Sequence, residues 1–73
     1  MDKEQIHKRF GMIAVEKGFV TEDHVIEALV IQATENYRMG RHRFIGKILL
    51  ENGLLTSTQL FEVLEALSQR DGE

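Results

Sequence analysis

The sequence has no cysteine and no proline, few aromatic residues and no surplus of positive charge. Without cysteine there can be no disulfide and no thiolate metal site, which fits a reducing compartment. Without proline, no helix is interrupted by ring geometry. Apolar runs are short, Ile48-Leu49-Leu50 among them, so no segment is long enough to span a bilayer. The start, Met1-Asp2-Lys3-Glu4-Gln5, is polar and carries no apolar stretch of the kind a signal peptide needs, and a cytoplasmic location is expected. The net charge of −3 disfavours general nucleic-acid binding, whose backbone affinity comes from excess lysine and arginine. A chain of 73 residues allows a single domain over 1–73 that buries a modest share of its surface.

What is present is a repeat. Shifted by 35 positions, the sequence lies on itself: Gly11 on Gly46, Ile13 on Ile48, Glu16 on Glu51, Gly18 on Gly53, Thr21 on Thr56, Glu27 on Glu62 and Leu29 on Leu64. Apolar character matches as well, in Val15 with Leu50, Phe19 with Leu54, Val20 with Leu55, Val25 with Leu60 and Ile26 with Phe61. The two copies run from about 3 to 39 and from about 44 to 69.

Each copy reads as helix, glycine stop, turn, cap, helix. Ile6, Phe10, Ile13 and Ala14 share one helical face, and Gly18 supplies a left-handed ending onto which Phe19 folds back. Thr21 is a good N-cap, Glu22 and Asp23 suit the positive helix start, and Val20 with Val25 occupies the positions of a hydrophobic staple. The next helix carries Val25, Ile26, Leu29, Ala33 and Tyr37 as an apolar stripe and stops near Gly40. In the second copy Phe44, Ile45, Ile48 and Leu49 form the face and Gly53 ends it. Thr56 and Gln59 form a capping box, Leu55 and Leu60 a staple, and Leu60, Leu64 and Leu67 a stripe widened by Phe61 and Val63. No segment alternates long enough for a strand. Helices are expected near 3–17, 22–39, 44–52 and 57–69, packed as an all-α four-helix bundle from two tandem helix–turn–helix repeats, with a frayed polar tail from Gln69 to Glu73.

Gly11, repeated by Gly46, sits inside a helix, where glycine costs about 0.5–1 kcal/mol relative to alanine. Close helix packing explains it, and so does the approach of a ligand to bare backbone. Around it, Arg9-Phe10-Gly11-x-x-Ala14-Val15-x-x-Gly18-Phe19-Val20, followed by Val25, Leu29 and Gln32, resembles the motif of the N-terminal domain of type II secretion and type IV pilus assembly ATPases. The resemblance covers 9–32 and 44–67 and extends to the helical lobe only. In that family the domain often binds cyclic di-GMP through tandem copies of the motif, and it links the ATPase to protein partners.

The resemblance implies that Arg9 meets phosphate or guanine, that Gln32 hydrogen-bonds the ligand and that Gly11 admits it to the backbone. Phe10, Val15, Gly18, Phe19, Val20, Val25 and Leu29 complete the candidate site. The chemistry is sound: arginine offers a planar fork of donors, and an amide offers a donor and an acceptor to a base edge. The second copy departs from the motif at both polar ends, with Phe44 in place of the arginine and Leu67 in place of the glutamine. It reads as kept for folding and lost for ligand contact.

No other motif carries chemistry. The stretch from Gly40 to Lys47 has the wrong spacing for a phosphate loop and Ile48 where Ser or Thr is needed. His7, His24 and His42 are scattered, no nucleophile has an adjacent base, and no metal, cofactor or catalytic residue is expected. Arg38, Arg41, Arg43 and Lys47 lie together with no acid between them, either as a solvated loop or as a surface for an anionic partner. The expected function is a non-enzymatic adaptor that docks a protein partner of a secretion, pilus or signalling system. A cyclic di-GMP sensor is the alternative. A DNA-binding helix-turn-helix is less favoured, since the helix after the turn opens Glu22-Asp23 and the chain is acidic.

Overall fold

The computed structural model describes residues 3–71, with side chains from 6 to 69. Met1, Asp2, Gly72 and Glu73 lie outside the described residues. The chain forms four helices: α1 (Lys3–Glu16), α2 (Glu22–Met39), α3 (Ile45–Glu51) and α4 (Ser57–Asp71), and no strand appears among the described residues. They pack as an all-α bundle. The α4 helix runs two residues beyond the expected end at 69, into the stretch expected to fray. Phe44 sits just outside α3 as its N-cap, in extended conformation and without a side-chain cap.

The sequence signals that end and start these helices act as local chemistry dictates. Gly18 and Gly53 both adopt φ +76°, a left-handed conformation that costs glycine nothing extra. Each closes a Schellman ending: Phe19 N–H donates to the Ala14 carbonyl at 3.0 Å and Gly18 N–H to Val15 at 2.9 Å, matched by Leu54 to Leu49 and Gly53 to Leu50, each at 3.0 Å. Thr56 and Gln59 form the reciprocal capping box, with bonds of 3.0 and 3.1 Å. Thr21 caps α2 in the same way, but its partner is His24. The His24 N–H donates to Thr21 Oγ1, and His24 Nδ1 accepts from the Thr21 N–H, both at 3.2 Å. Nδ1 therefore presents a lone pair there, and the ring proton sits on Nε2.

The repeat is equally plain in the burial pattern. Phe10 and Ile45, Gly11 and Gly46, Ile13 and Ile48, Ala14 and Leu49, Val20 and Leu55, Ala28 and Val63 are all buried, and every pair is 35 residues apart. The first helices of the two repeats, α1 and α3, pack on each other at the centre. The second helices cross over: α2 leans mainly on α3 and α4 mainly on α1, while among the described residues α2 and α4 do not meet. Each hairpin thus completes the other's core.

Two expected stripes turn out to be only partly inward. On α2 the buried and half-buried positions are His24, Val25, Ala28, Leu29, Ile31, Gln32 and Glu35, whereas Ile26, Ala33 and Tyr37 face outward. On α4 Val63 is fully buried but Phe61 is 67% exposed. The physical reason is that α2 is apolar on both sides and only one side, the one carrying Ala28, can face the bundle.

Gly46 marks the tightest point. A Cβ there would lie 2.6 Å from Leu60 Cδ1, 2.7 Å from Phe10 Cζ and 2.8 Å from Phe44 Cε2. At Gly11 one side chain, Val25, comes as near, with Cγ1 at 2.7 Å. Both glycines therefore serve close packing, and Gly46 far more than Gly11. Replacing glycine by alanine inside a helix returns about 1 kcal/mol of propensity, while overpacking a tight core costs about 1–3 kcal/mol. Gly46→Ala is expected to destabilise the chain in urea unfolding, and Gly11→Ala to be near neutral because one valine on a groove wall can yield. Equal effects would show that the two sites are packed alike.

Candidate functional site

A concavity lies between α1 and α2 of the first repeat. It holds about 480 Å³ and is lined by Gly11, Met12, Val15, Val25, Ile26 and Leu29, with Lys8, Glu16 and Glu22 at its margins. Its wall is almost wholly apolar, and two of its residues project far into solvent, Met12 at 61% exposure and Ile26 at 57%. The groove follows from side-chain size. At the matching positions of the second repeat, Leu60 replaces Val25 and Phe44 replaces Arg9, and both crowd onto Gly46. In the first repeat the three atoms nearest Gly11 all belong to the smaller Val25, and the cleft between the helices stays open.

The residues that the motif singles out divide into groups. Gly11, Val15, Val25 and Leu29 gather on the groove. Phe10 and Val20 are buried in the common core, Phe19 packs against that core, and Gly18 is the helix ending. The two polar ends lie elsewhere. Arg9 borders a smaller hollow with Met12, Ile13 and Leu67, about 270 Å³ in volume, on the α4 side of α1. Gln32 is half-buried and used internally: its Nε2 donates to the Arg43 carbonyl at 2.8 Å and lies 3.2 Å from both ring nitrogens of His7. His7 Nδ1 in turn accepts from the Ile45 N–H at 3.3 Å, which satisfies a donor at the start of α3 that Phe44 leaves uncapped. The His7 ring also packs on Phe44 at 5.2 Å, and Phe44 meets Phe10 edge-on at 4.9 Å. Gln32 thereby ties α1, α2 and the 40–44 connection together.

The basic cluster is divided too. Arg38, Arg41 and Lys47 are exposed, but Arg43 is largely covered and spans two acids. Its Nε and Nη2 bind the Glu35 carboxylate at 2.8 and 2.6 Å in a forked pair, and Nη1 binds Glu51 at 2.8 Å. The hydrogen bond from Arg43 holds the Glu35 carboxyl below the usual carboxylate range, against the opposing cost of desolvation. The same bond pushes the Arg43 guanidinium up. This ion pair joins the last third of α2 to both ends of the short α3.

Among the described residues no cluster of three or more histidines, cysteines or acids could hold a metal ion, and no helix is long and apolar enough to cross a membrane. Compared with known proteins, the chain matches no family model, no curated protein and no solved structure. Sequence reasoning did not single out Lys8, Met12, Glu16, Glu22 or Ile26 as groove residues, and it placed Ile26 on the apolar stripe of α2. The signal was available only for Met12, which stands one residue from Gly11 and outside the Ile6–Phe10–Ile13 face.

Because Glu35 titrates lower in the folded chain than in the unfolded one, the stabilisation it gives is whole above the ordinary glutamate value of about 4.3 and is lost as pH falls through its lowered folded value. Glu35→Gln should therefore lower the urea midpoint at neutral pH and flatten its decline on acidification. Wild type and variant declining in parallel would show that the pair does not contribute.

Proposed function

We propose that this chain is a non-enzymatic cytoplasmic docking module, of the kind its resemblance to the assembly-ATPase N-terminal domain implies, and that it holds a protein of a secretion, pilus or signalling apparatus. The observation that carries this reading is the open apolar groove between α1 and α2, with Met12 and Ile26 exposed at its mouth. Exposed apolar surface concentrated in a concavity with a polar rim is the usual form of a site that receives another protein's side chains. The groove's length along two helices suits an amphipathic helix laid across it. Its charges are split, Lys8 toward one end and Glu16 with Glu22 toward the other, which favours a partner helix that is basic at one end.

To test this, the chain and its Met12→Glu variant are used as baits in the cell of origin. Met12 is exposed, so the variant keeps the fold. A component of a secretion, pilus or signalling system should be retained by the wild type and depleted about tenfold or more by the variant, the effect of disturbing one central anchor. Equal retention, or no such component, overturns the proposal.

Cyclic di-GMP binding is the second reading, favoured by the gathering of Gly11, Val15, Val25 and Leu29 on one groove. Two observations weigh against it. Arg9 and Gln32 do not line that groove, and its rim carries two carboxylates for one lysine, a poor setting for a dianion. Calorimetric titration of the chain with cyclic di-GMP decides it. A flat trace removes this reading. Binding that Arg9→Ala and Gln32→Ala each weaken by about 1–3 kcal/mol would establish it in place of protein docking.

A further inference from the structure

The outward face of α2 is a second apolar surface, beside the groove and sharing Ile26 with it. Ile26, Val30, Ala33 and Tyr37 are all exposed, Val30 at 58% and Tyr37 at 92%. Their spacings are four, three and four residues. At 100° per residue they fall within an arc of about 60° directly opposite Ala28, which faces the core. This is the spacing of a coiled-coil seam, in which alternating steps of three and four keep one line of side chains toward a partner helix. The helix is 18 residues long and carries the seam from its second to its fifth turn.

Charge along α2 is ordered as well. Glu22, Asp23 and Glu27 stand at its beginning, Arg38 in its last turn, and Arg41 just beyond Gly40. Glu27 and Arg38 flank the seam on the same side. Two copies of α2 laid parallel would set acids against acids and arginines against arginines. Laid antiparallel about a twofold axis, between Val30 and Ala33, they set Glu27 of each copy beside Arg38 of the other, and Asp23 near Arg41. The surface is thus complementary to itself, as an isologous interface requires.

We propose that α2 is a self-association surface on which a second copy of this chain docks antiparallel, through Ile26, Val30, Ala33 and Tyr37 flanked by Glu27–Arg38 pairs. One helix face is smaller than the surface buried in permanent dimers, so the association is weak and reversible. Screening of the flanking pairs makes it weaker still at high salt. Ile26 is shared with the groove; Val30 and Tyr37 do not line it, so this surface is tested without touching the proposed partner site.

Sedimentation equilibrium of the whole chain, from about 10 μM to about 0.5 mM, reads the outcome. The wild type should form a dimer across this range. Val30→Glu should weaken it at least about tenfold, by placing like charges beside the axis. Glu27→Lys should weaken it through the clash with Arg38 of the other copy, and combining Glu27→Lys with Arg38→Glu should restore it. All these side chains are exposed, and an unchanged helical circular dichroism spectrum confirms that each variant folds. A chain still monomeric at the highest concentration overturns the proposal, even if this face captures another protein or a lipid vesicle. So does a dimer indifferent to Val30→Glu, or one that the paired charge reversal fails to restore.

Discussion

The fold depends on how closely three side chains approach the bare backbone of Gly46. Phe10 comes from α1, Phe44 from the connection before α3, and Leu60 from α4, and they converge where any Cβ would collide with them. That convergence lets the first helices of the two repeats lie against each other as the centre of the bundle. It also explains why the second helices cross over: with α1 and α3 in contact, each of α2 and α4 finds its larger apolar area on the other repeat's first helix. A single hairpin would leave that area in water. A chain this short has little burial to spare, so the repeats are stable as a pair and not as separate units.

The same backbone has been filled differently on its two sides. In the second repeat Phe44 and Leu60 take the positions of Arg9 and Val25, and their side chains close the space over Gly46. In the first repeat the smaller Val25 leaves the groove. Leu67, buried in the core, stands where the first repeat has Gln32. Gln32 in turn supports a polar link that has no counterpart, from His7 through Gln32 to the Arg43 carbonyl. Duplication supplied two equivalent hairpins, and substitution made one a structural half and the other an open one.

The parts of this structure legible in the sequence are those fixed within a few residues. Gly18, Gly53, Thr21, Thr56 and Gln59 act through hydrogen bonds spanning no more than five positions, so their roles follow from type and spacing. The role of His24 was hidden because a capping box is ordinarily recognised by Glu or Gln, although an imidazole lone pair accepts the same bond. The Arg43–Glu35 pair was hidden for a different reason. Those residues are eight positions apart across a turn, and only the path of the 40–44 connection brings them together. Gln32 could be matched to a motif, but where its amide points depends on His7, twenty-five residues away.

The face of α2 that enters the core is the least legible feature, and the reason bears on function. Ile26, Ala33 and Tyr37 satisfy helical periodicity as well as Val25, Ala28 and Gln32 do. Periodicity reports that a stripe exists but not which of two stripes is covered. Packing decides: the face of Val25, Ala28 and Leu29 turns to the bundle. The other stripe is then left in water. Folding does not require it to be apolar, and a surface position that folding leaves open is free to be polar. A row of such positions kept apolar, in register, with acids at one end and arginines at the other, is therefore better explained by contact with another surface than by the stability of the bundle.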